Sequence, residues 1–191
     1  MKKSSLIFIS LFLASGISLS AQNFQVDKGA SFISGMGSFV SQGDELYEDR
    51  SGNRQTTIRF IPGYSYFLAP NFFIGGSLEL LMQKWDENYS NSVAVGPHFG
   101  YAFGDEDSDV FPYLSAGGRY VNQYMDNDIA NNSFNLSGTD FYFGAGTIVP
   151  LKKHIGITFE ASYHFINLKE SGVSYTGDVI SVGLGITGML F

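Results

Sequence analysis

The chain has 191 residues with 11 basic and 18 acidic side chains, a net charge of −7, and no cysteine. The acidic balance excludes a nucleic-acid partner, because phosphate binding needs a basic face, and the lack of cysteine excludes disulfide scaffolds, thiolate zinc sites and cysteine nucleophiles. Glycine (23), phenylalanine (18) and tyrosine (11) are abundant, which favours many β-strands over helices.

The N-terminus has the organisation of a secretory signal peptide. Lys2 and Lys3 precede an apolar run over residues 6–13, and a stretch of small residues ends at Ala21, which is the order of regions in an export signal. We predict cleavage after Ala21, with cleavage after Ser20 as the alternative. A membrane-anchoring helix would need about 20 apolar residues, more than this run provides. Cleavage removes two lysines and leaves 9 basic and 18 acidic side chains, a net charge of −9.

Apolar and polar side chains alternate in several segments. Residues 155–165 read IGITFEASYHF: one parity is apolar, and the residues between are Gly, Thr, Glu, Ser and His. Residues 93–103 and 180–187 follow the same rule. A period of two is that of a β-strand with two different faces. The pattern as a whole predicts eight strands, at residues 30–40, 54–67, 71–83, 92–103, 110–121, 138–149, 154–167 and 177–190.

The connections between the predicted strands alternate in length. Three are short, LAPN, GDEDSD and PLKKH, and four are longer and polar, the longest being residues 122–137. Each strand has about the ten residues that a tilted strand needs to cross a bilayer. An even number of alternating strands with such connections is typical of a transmembrane β-barrel. Its first and last strands must pair, because hydrocarbon offers no partner to an open sheet edge.

The distribution of the large side chains decides between two kinds of barrel. A soluble eight-stranded barrel of lipocalin type would hold its large apolar side chains inside. Here one face carries Gly, Ser, Thr, Ala, His and a few charges, too small and polar for an apolar ligand cup, and the other carries Phe, Ile, Leu, Val and Tyr. We therefore predict an all-β protein, an eight-stranded antiparallel up-and-down transmembrane β-barrel with its apolar face toward lipid.

The sequence resembles the small eight-stranded outer-membrane β-barrel family, of the OmpX and OmpA membrane-domain type, over residues 28–191. The resemblance rests on the exported start, the hairpin PGYSYFLAPNFFIGGSLEL, the strand FPYLSAGGRY and the terminal Phe191. It implies a bacterial outer membrane, with both termini and the short turns in the periplasm and the long loops outside. The implied domains are a signal peptide at 1–21, an N-terminal periplasmic segment at 22–29 and the barrel at 30–191.

In that family a C-terminal aromatic residue is read by the barrel-assembly machinery, and Phe191 stands at this position. The lipid-facing parity of the last strand is even-numbered and ends at Leu190. Phe191 therefore has lumen parity, unless a β-bulge near Gly188 shifts the register.

Seven ionisable side chains share the inward parity, where they avoid the cost of facing lipid, about 2–4 kcal/mol for a basic residue at the midplane. They are Arg59, Glu79, His98, Arg119, Asp140, Glu160 and His164. If the LAPN turn is centred near Ala69, Arg59 lies opposite Glu79; if PLKKH is centred near Lys152, Asp140 lies opposite His164. Since eight strands enclose just enough room for side chains, we interpret the seven as a structural lumen network. An ion or proton pathway is the alternative.

Three patterns suggest chemistry, and each lacks a required part. The stretch YHFIN resembles the H-x-S-N stretch of lipid A deacylase barrels, but Ile166 stands at the serine position, and we expect no nucleophile beside His164. The stretch DEDSD begins like a calcium loop, but Val110 occupies the glycine position. The stretch GLGITG matches a dinucleotide-binding pattern, but no helix can follow it, and we interpret it as a strand. We expect no enzyme activity, no cofactor and no metal site.

The predicted function is that of a non-enzymatic outer-membrane barrel with a filled lumen, whose outer loops serve envelope integrity, adhesion or partner binding. The alternative is a narrow porin or channel for small solutes or ions, and a weaker one is an outer-membrane lipid-modifying enzyme. The expected partners are outer-membrane lipid and lipopolysaccharide, the barrel-assembly machinery and an unknown extracellular partner. Acidic loop residues could gather divalent cations that bridge lipopolysaccharide: Asp44, Glu45, Glu48, Asp49, Asp86, Glu87, Asp126 and Asp128.

Overall fold

The structure, a computed structural model, describes residues 26–42, 55–85, 88–105, 108–127 and 132–190. Nearly all of these residues belong to eight strands. The strands are β1 (Ser31–Gln42), β2 (Gln55–Ala69), β3 (Phe72–Trp85), β4 (Asn88–Ala102), β5 (Phe111–Asn127), β6 (Asn132–Lys152), β7 (Ile155–Glu170) and β8 (Val173–Leu190).

The sheet is a closed ring. Every strand pairs antiparallel with its neighbours in sequence, and β1 also pairs with β8, from Ser31 opposite Leu190 to Gly37 opposite Leu184. This closure satisfies the backbone at the edges that an open sheet would expose to lipid. The predicted eight-stranded antiparallel up-and-down barrel is confirmed. In the part of the chain that the structure describes, no helix is long and apolar enough to cross a membrane.

The strands reach further than predicted at the end of the barrel with the longer connections, which we call the hairpin end. The prediction of a loop over residues 122–137 is wrong, because β5 and β6 stay paired as far as Asn127 and Asn132. Likewise, β7 and β8 are joined by a turn at Ser171 and Gly172, whose φ angles are 47° and 88°. These segments are polar on both faces, so they lack the alternation by which the other strands are recognised.

The register at two short turns differs by two residues from the prediction. Arg59 pairs with Leu81 rather than Glu79, and Asp140 pairs with Ile166 rather than His164. A β-bulge lies beside each turn, between Phe67 and Ala69 and between Pro150 and Lys152. The pairing is therefore centred one residue later than assumed, on Pro70 and Lys153. A shift of two residues keeps every side chain on its predicted face.

The C-terminal strand is regular. The GLGITG stretch lies within β8, and Gly188 pairs with Ile33 on one side and Ile155 on the other. The pairing continues to Leu190 without a bulge near Gly188. Phe191 lies outside the described residues.

Large apolar side chains cover the outside of the wall. Ile180 and Val182 on β8 expose 75% and 74% of their surface, and Phe143 on β6 exposes 63%. Of the tyrosines with outward parity, Tyr163 is half-buried, and those that are exposed include Tyr64, Tyr66, Tyr101 and Tyr120. An apolar exterior with tyrosines is the surface that a barrel presents to lipid and to its interfaces.

An apolar cluster fills each end of the lumen. At the short-turn end, Phe67 and Phe111 are fully buried and pack with Phe32, Phe73, Ile148 and Met189. Val26 joins this cluster because the backbone of residues 26–30 folds across the opening, where Asn71 N donates to Val26 O at 2.7 Å and Gly29 N donates to Phe67 O at 2.9 Å. Toward the hairpin end the cluster is formed by Ala94, Val121, Leu168, Leu136 and Ile166.

Close contact between strands makes a specific demand on Gly96. A Cβ added there would lie 2.0 Å from Gly118 O and 2.7 Å from Arg119 Cα, so Gly96→Ala should push β4 away from β5. We expect a loss of about 1–3 kcal/mol in the free energy of unfolding, measured from urea unfolding of refolded protein in detergent micelles. Gly177→Ala is the matched control, because a Cβ at Gly177 meets no atom within 4 Å. Equal midpoints for the two variants would contradict this expectation.

Candidate functional site

The middle of the lumen holds a polar network, and Arg119 lies at its centre. Its Nη1 donates to Glu79 Oε2 at 2.7 Å, and its Nη2 and Nε donate to Asp140 Oδ2 at 2.7 and 3.1 Å. The guanidinium also lies over the Tyr142 ring, 4.7 Å from its centroid. The side chain of Arg119 is 3% exposed. One guanidinium therefore connects side chains from β3, β5 and β6 across the lumen.

Arg59 extends the network to the strand that closes the barrel. Its Nη2 donates to Glu79 Oε2 at 2.7 Å, so both arginines share one carboxylate oxygen. Its Nη1 donates to Ser181 Oγ. Because Arg59 is on β2 and Ser181 is on β8, this bond spans the inner face of β1 and connects the two strands that flank it.

His164 continues the network onto β7. Its Nδ1 lies 3.0 and 3.1 Å from the two carboxylate oxygens of Asp140, and its Nε2 lies 2.9 Å from Ser162 Oγ. The ring stacks on Tyr142 with 5.4 Å between centroids. The expectation that no serine lies beside His164 is wrong, because Ser162, two residues earlier on the same strand, faces the lumen as His164 does.

Ser162, His164 and Asp140 are linked by hydrogen bonds in the same way as the serine, histidine and aspartate of an acyl-transfer triad. The surroundings differ from such a site, because Arg119 Nη2 lies 3.0 Å from His164 Nδ1 and binds the same aspartate. Ser162 is 8% exposed and borders only the lumen. A substrate carbonyl would have to enter the barrel to reach its Oγ.

Glu160 and His98 lie on the short-turn side of the arginines. The Tyr113 hydroxyl donates a hydrogen bond to Glu160 Oε2 at 2.9 Å, and Ser65 Oγ lies 2.8 Å from His98 Nε2. Between them and Arg119 is a cavity of about 90 Å³. The cavity is large enough to hold several waters.

The structure places all seven predicted residues in the lumen. Five take part in one connected set of ion pairs and hydrogen bonds: Arg59, Glu79, Arg119, Asp140 and His164. Glu160 and His98 border the cavity beside that set. The predicted site omits Tyr113, Tyr142, Ser162 and Ser181, although the first three share the inward parity of the charged residues on their own strands and Ser181 has the inward parity of β8. In the described ranges, no group of three or more histidine, aspartate or glutamate side chains could hold a metal ion.

The comparisons with known proteins agree with this geometry at the level of the fold. No family model and no curated protein matches the chain. Among solved structures, the outer membrane protein OprG from Pseudomonas aeruginosa matches with a TM-score of 0.59 and 14% identity, over 90% of this chain and 99% of that one. The N-terminal β-barrel domain of OprF from the same organism gives 0.52 and 18%, over 85% and 98%.

A third solved structure is Ail, the attachment invasion locus protein of Yersinia pestis. It matches with a TM-score of 0.50 and 19% identity, over 85% of this chain and 99% of that one. At such identities the likeness defines the fold. This chain has the fold of the small outer-membrane β-barrels, which confirms the resemblance inferred from the sequence.

Removal of the Arg119 side chain breaks two buried ion pairs. Truncation by Arg119→Ala leaves Asp140 with one partner fewer and Glu79 with Arg59 alone, and breaking a buried ion pair costs about 3–5 kcal/mol. We expect a loss of this size in the free energy of unfolding of the refolded protein in urea. Lys169→Ala, at the exposed end of β7, should leave the midpoint unchanged. An unchanged midpoint for Arg119→Ala would show that the network does not stabilise the barrel.

Proposed function

We propose that this chain is a non-enzymatic outer-membrane protein whose barrel is a rigid, plugged scaffold for its outer hairpins. The observation that carries the proposal is the filling of the lumen at three levels, with an apolar cluster at each end and an ion-paired network between them. A continuous aqueous path would have to cross both clusters, and Phe67 and Phe111 in the first are 0% exposed. Eight strands leave little room for anything besides side chains.

The lumen network has a structural role in this proposal. Arg119 and Asp140 are directly opposite on β5 and β6, whereas Glu79 and His164 reach them from β3 and β7. The ion pair between Arg119 and Glu79 joins β5 to β3, which are not neighbours, so it resists flattening of the wall in addition to the hydrogen bonds of the sheet. A wall held from inside in this way presents its outer hairpins in a fixed arrangement.

The Ser162, His164 and Asp140 chain belongs to this plug. Acyl transfer needs a substrate carbonyl within reach of the nucleophile and donors for the oxyanion. Ser162 Oγ instead bonds inside a filled lumen, and Asp140 already neutralises Arg119. These contacts favour a hydrogen-bonding role over catalysis.

The export and orientation of the protein follow from the same proposal. We propose that the signal peptide is cleaved near Ala21, that the short turns and residues 22–29 lie in the periplasm, and that Phe191 is recognised by the barrel-assembly machinery. Support comes from the closed sheet, the apolar outer wall and the burial of Val26 at the short-turn end. The hairpin end then faces outward, above lipopolysaccharide.

The hairpins are the proposed binding surface, for an extracellular partner. The solved structures include Ail in complex with the heparin analogue sucrose octasulfate. The chain has a net charge of −9 once residues 1–21 are removed. Such a negative charge argues against a polyanion as the partner of this chain. We propose a neutral or cationic partner, or divalent cations shared with lipopolysaccharide. Of the acidic loop residues, Asp126 lies in β5; the others lie outside the described residues, namely Asp44, Glu45, Glu48, Asp49, Asp86, Glu87 and Asp128.

Cysteine labelling tests the location and the orientation together, because the chain has no native cysteine. Tyr175→Cys lies in the β7–β8 hairpin, where the tyrosine is 50% exposed, and Lys153→Cys lies in a turn at the other end. On intact cells, a membrane-impermeant maleimide should label Tyr175→Cys and spare Lys153→Cys. Labelling of both should follow cell lysis. The reverse pattern on intact cells would refute the proposed orientation, and labelling of neither would refute surface display.

Planar-bilayer recording distinguishes the plugged scaffold from the narrow channel. The refolded protein should show no steady conductance, because both apolar clusters close the lumen. The double substitution Phe67→Ala and Phe111→Ala should also show no steady conductance, because the ion-paired network and the cluster at the hairpin end still close the lumen. Steady ion-selective openings of the unmodified protein that change with Arg59 or Glu160 substitution would overturn the plug and support the channel.

A further inference from the structure

Glu160 differs from the other carboxylates of the lumen in its partners. Glu79 and Asp140 each bond to at least one guanidinium within 3 Å. The bond that the structure gives Glu160 is with the Tyr113 hydroxyl, at 2.9 Å, and no basic side chain of the described residues forms an ion pair with it. Glu160 is nevertheless enclosed by the wall and borders the cavity.

The formal charges of the lumen do not balance. Arg59 and Arg119 contribute two positive charges, and Glu79, Asp140 and Glu160 contribute three negative charges, if both histidines are neutral. The two arginines are engaged by Glu79 and Asp140. The excess negative charge therefore belongs to Glu160. A charge enclosed in a protein is costly unless an opposite charge compensates it.

Ser115 and Glu160 come close together beside Gly144 and border one niche of the cavity. The point where a Cβ of Gly144 would stand lies 2.6 Å from Ser115 Oγ and 3.5 Å from Glu160 Oε2. Ser115 Oγ is buried and has no hydrogen-bond partner among the described residues. The Tyr113 hydroxyl adjoins the niche through its bond to Glu160. The niche thus brings together a carboxylate and a hydroxyl that lacks a partner, within a cavity of about 90 Å³.

Glu160 also borders a second, smaller space on the inner side of the wall. The pairing of β1 with β8 ends at Gly37 and Leu184, although both strands continue beyond these residues. A crevice of about 10 Å³ lies at this point and is lined by Gly37, Gly183 and Glu160, among others. That volume is about the size that one water molecule occupies, so the space can hold one water beside the carboxylate.

We propose that the lumen binds one monovalent metal cation of the sodium class, held by the Glu160 carboxylate and the Ser115 hydroxyl. Carboxylate and hydroxyl oxygens are ligands suited to hard cations, and water in the cavity completes the coordination. A single positive charge neutralises the lumen. A divalent ion would leave an excess positive charge, and with one carboxylate at the niche it would lack the anionic ligands that such ions use. The inference does not depend on whether the barrel conducts.

The test compares unfolding in two salts. Refolded protein in neutral detergent is unfolded by urea at fixed pH and ionic strength, in sodium chloride or in N-methylglucamine chloride, whose cation is too large for the niche. A ligand that binds the folded state raises its stability with concentration. We expect a higher midpoint in sodium, an increase of that difference with sodium concentration, and its loss in Glu160→Gln. Ser115→Ala should reduce the difference, and Glu170→Gln, at the far end of β7, should retain it.

Two outcomes would overturn the proposal. Equal midpoints in the two salts for the unmodified protein would mean that a proton, on Glu160 or on a histidine, supplies the balancing charge. A sodium dependence that persists unchanged in Glu160→Gln would place the ion elsewhere. If Glu160→Gln does not refold, the salt comparison on the unmodified protein and Ser115→Ala decides the matter, since Ser115→Ala removes one hydroxyl and no charge.

Discussion

The constraint on which this structure depends is that hydrocarbon cannot hydrogen-bond to a peptide group. A sheet that crosses a membrane must therefore have no free edge at that depth, and the pairing of β1 with β8 meets this condition by closing the ring. Closure with eight strands fixes a narrow interior. Strand alternation then divides the side chains into two sets, one for lipid and one for the lumen. Because the apolar side chains must face lipid, the alternating polar side chains face the lumen and form its polar layer.

Arg119 shows how the confined interior is used. A guanidinium has five donors in a planar fork, and here the fork reaches a carboxylate on β3 and a carboxylate and a tyrosine ring on β6. A lysine would offer a point charge without this geometry. The charged residues therefore do more than avoid lipid, because some of their contacts connect strands that are not neighbours and complement the ladder bonds between neighbours.

The sequence predicts which face of the sheet a side chain lies on better than it predicts that side chain's cross-strand partner. Parity alone places Arg59 and Asp140 in the lumen, because every second residue of a strand shares a face. Their cross-strand partners depend on the centre of each turn, and the bulges beside Ala69 and Lys152 move it. Parity is also sufficient to find Ser162 beside His164, whereas the spacing of the H-x-S-N stretch points to Ile166 instead. The alternation of polar and apolar residues does not predict strands at residues 122–137. A β-hairpin with polar side chains on both faces lacks the period of two.

The short seam between β1 and β8 has a consequence for how the barrel comes apart. Seven residue pairs hold this seam, against seventeen between β5 and β6. β8 is bound much more strongly on its other side, with sixteen residue pairs to β7. The β1–β8 seam is therefore the weakest of these junctions under force. Force applied to the C-terminus would break the β1–β8 pairs one after another and leave the β7–β8 hairpin intact.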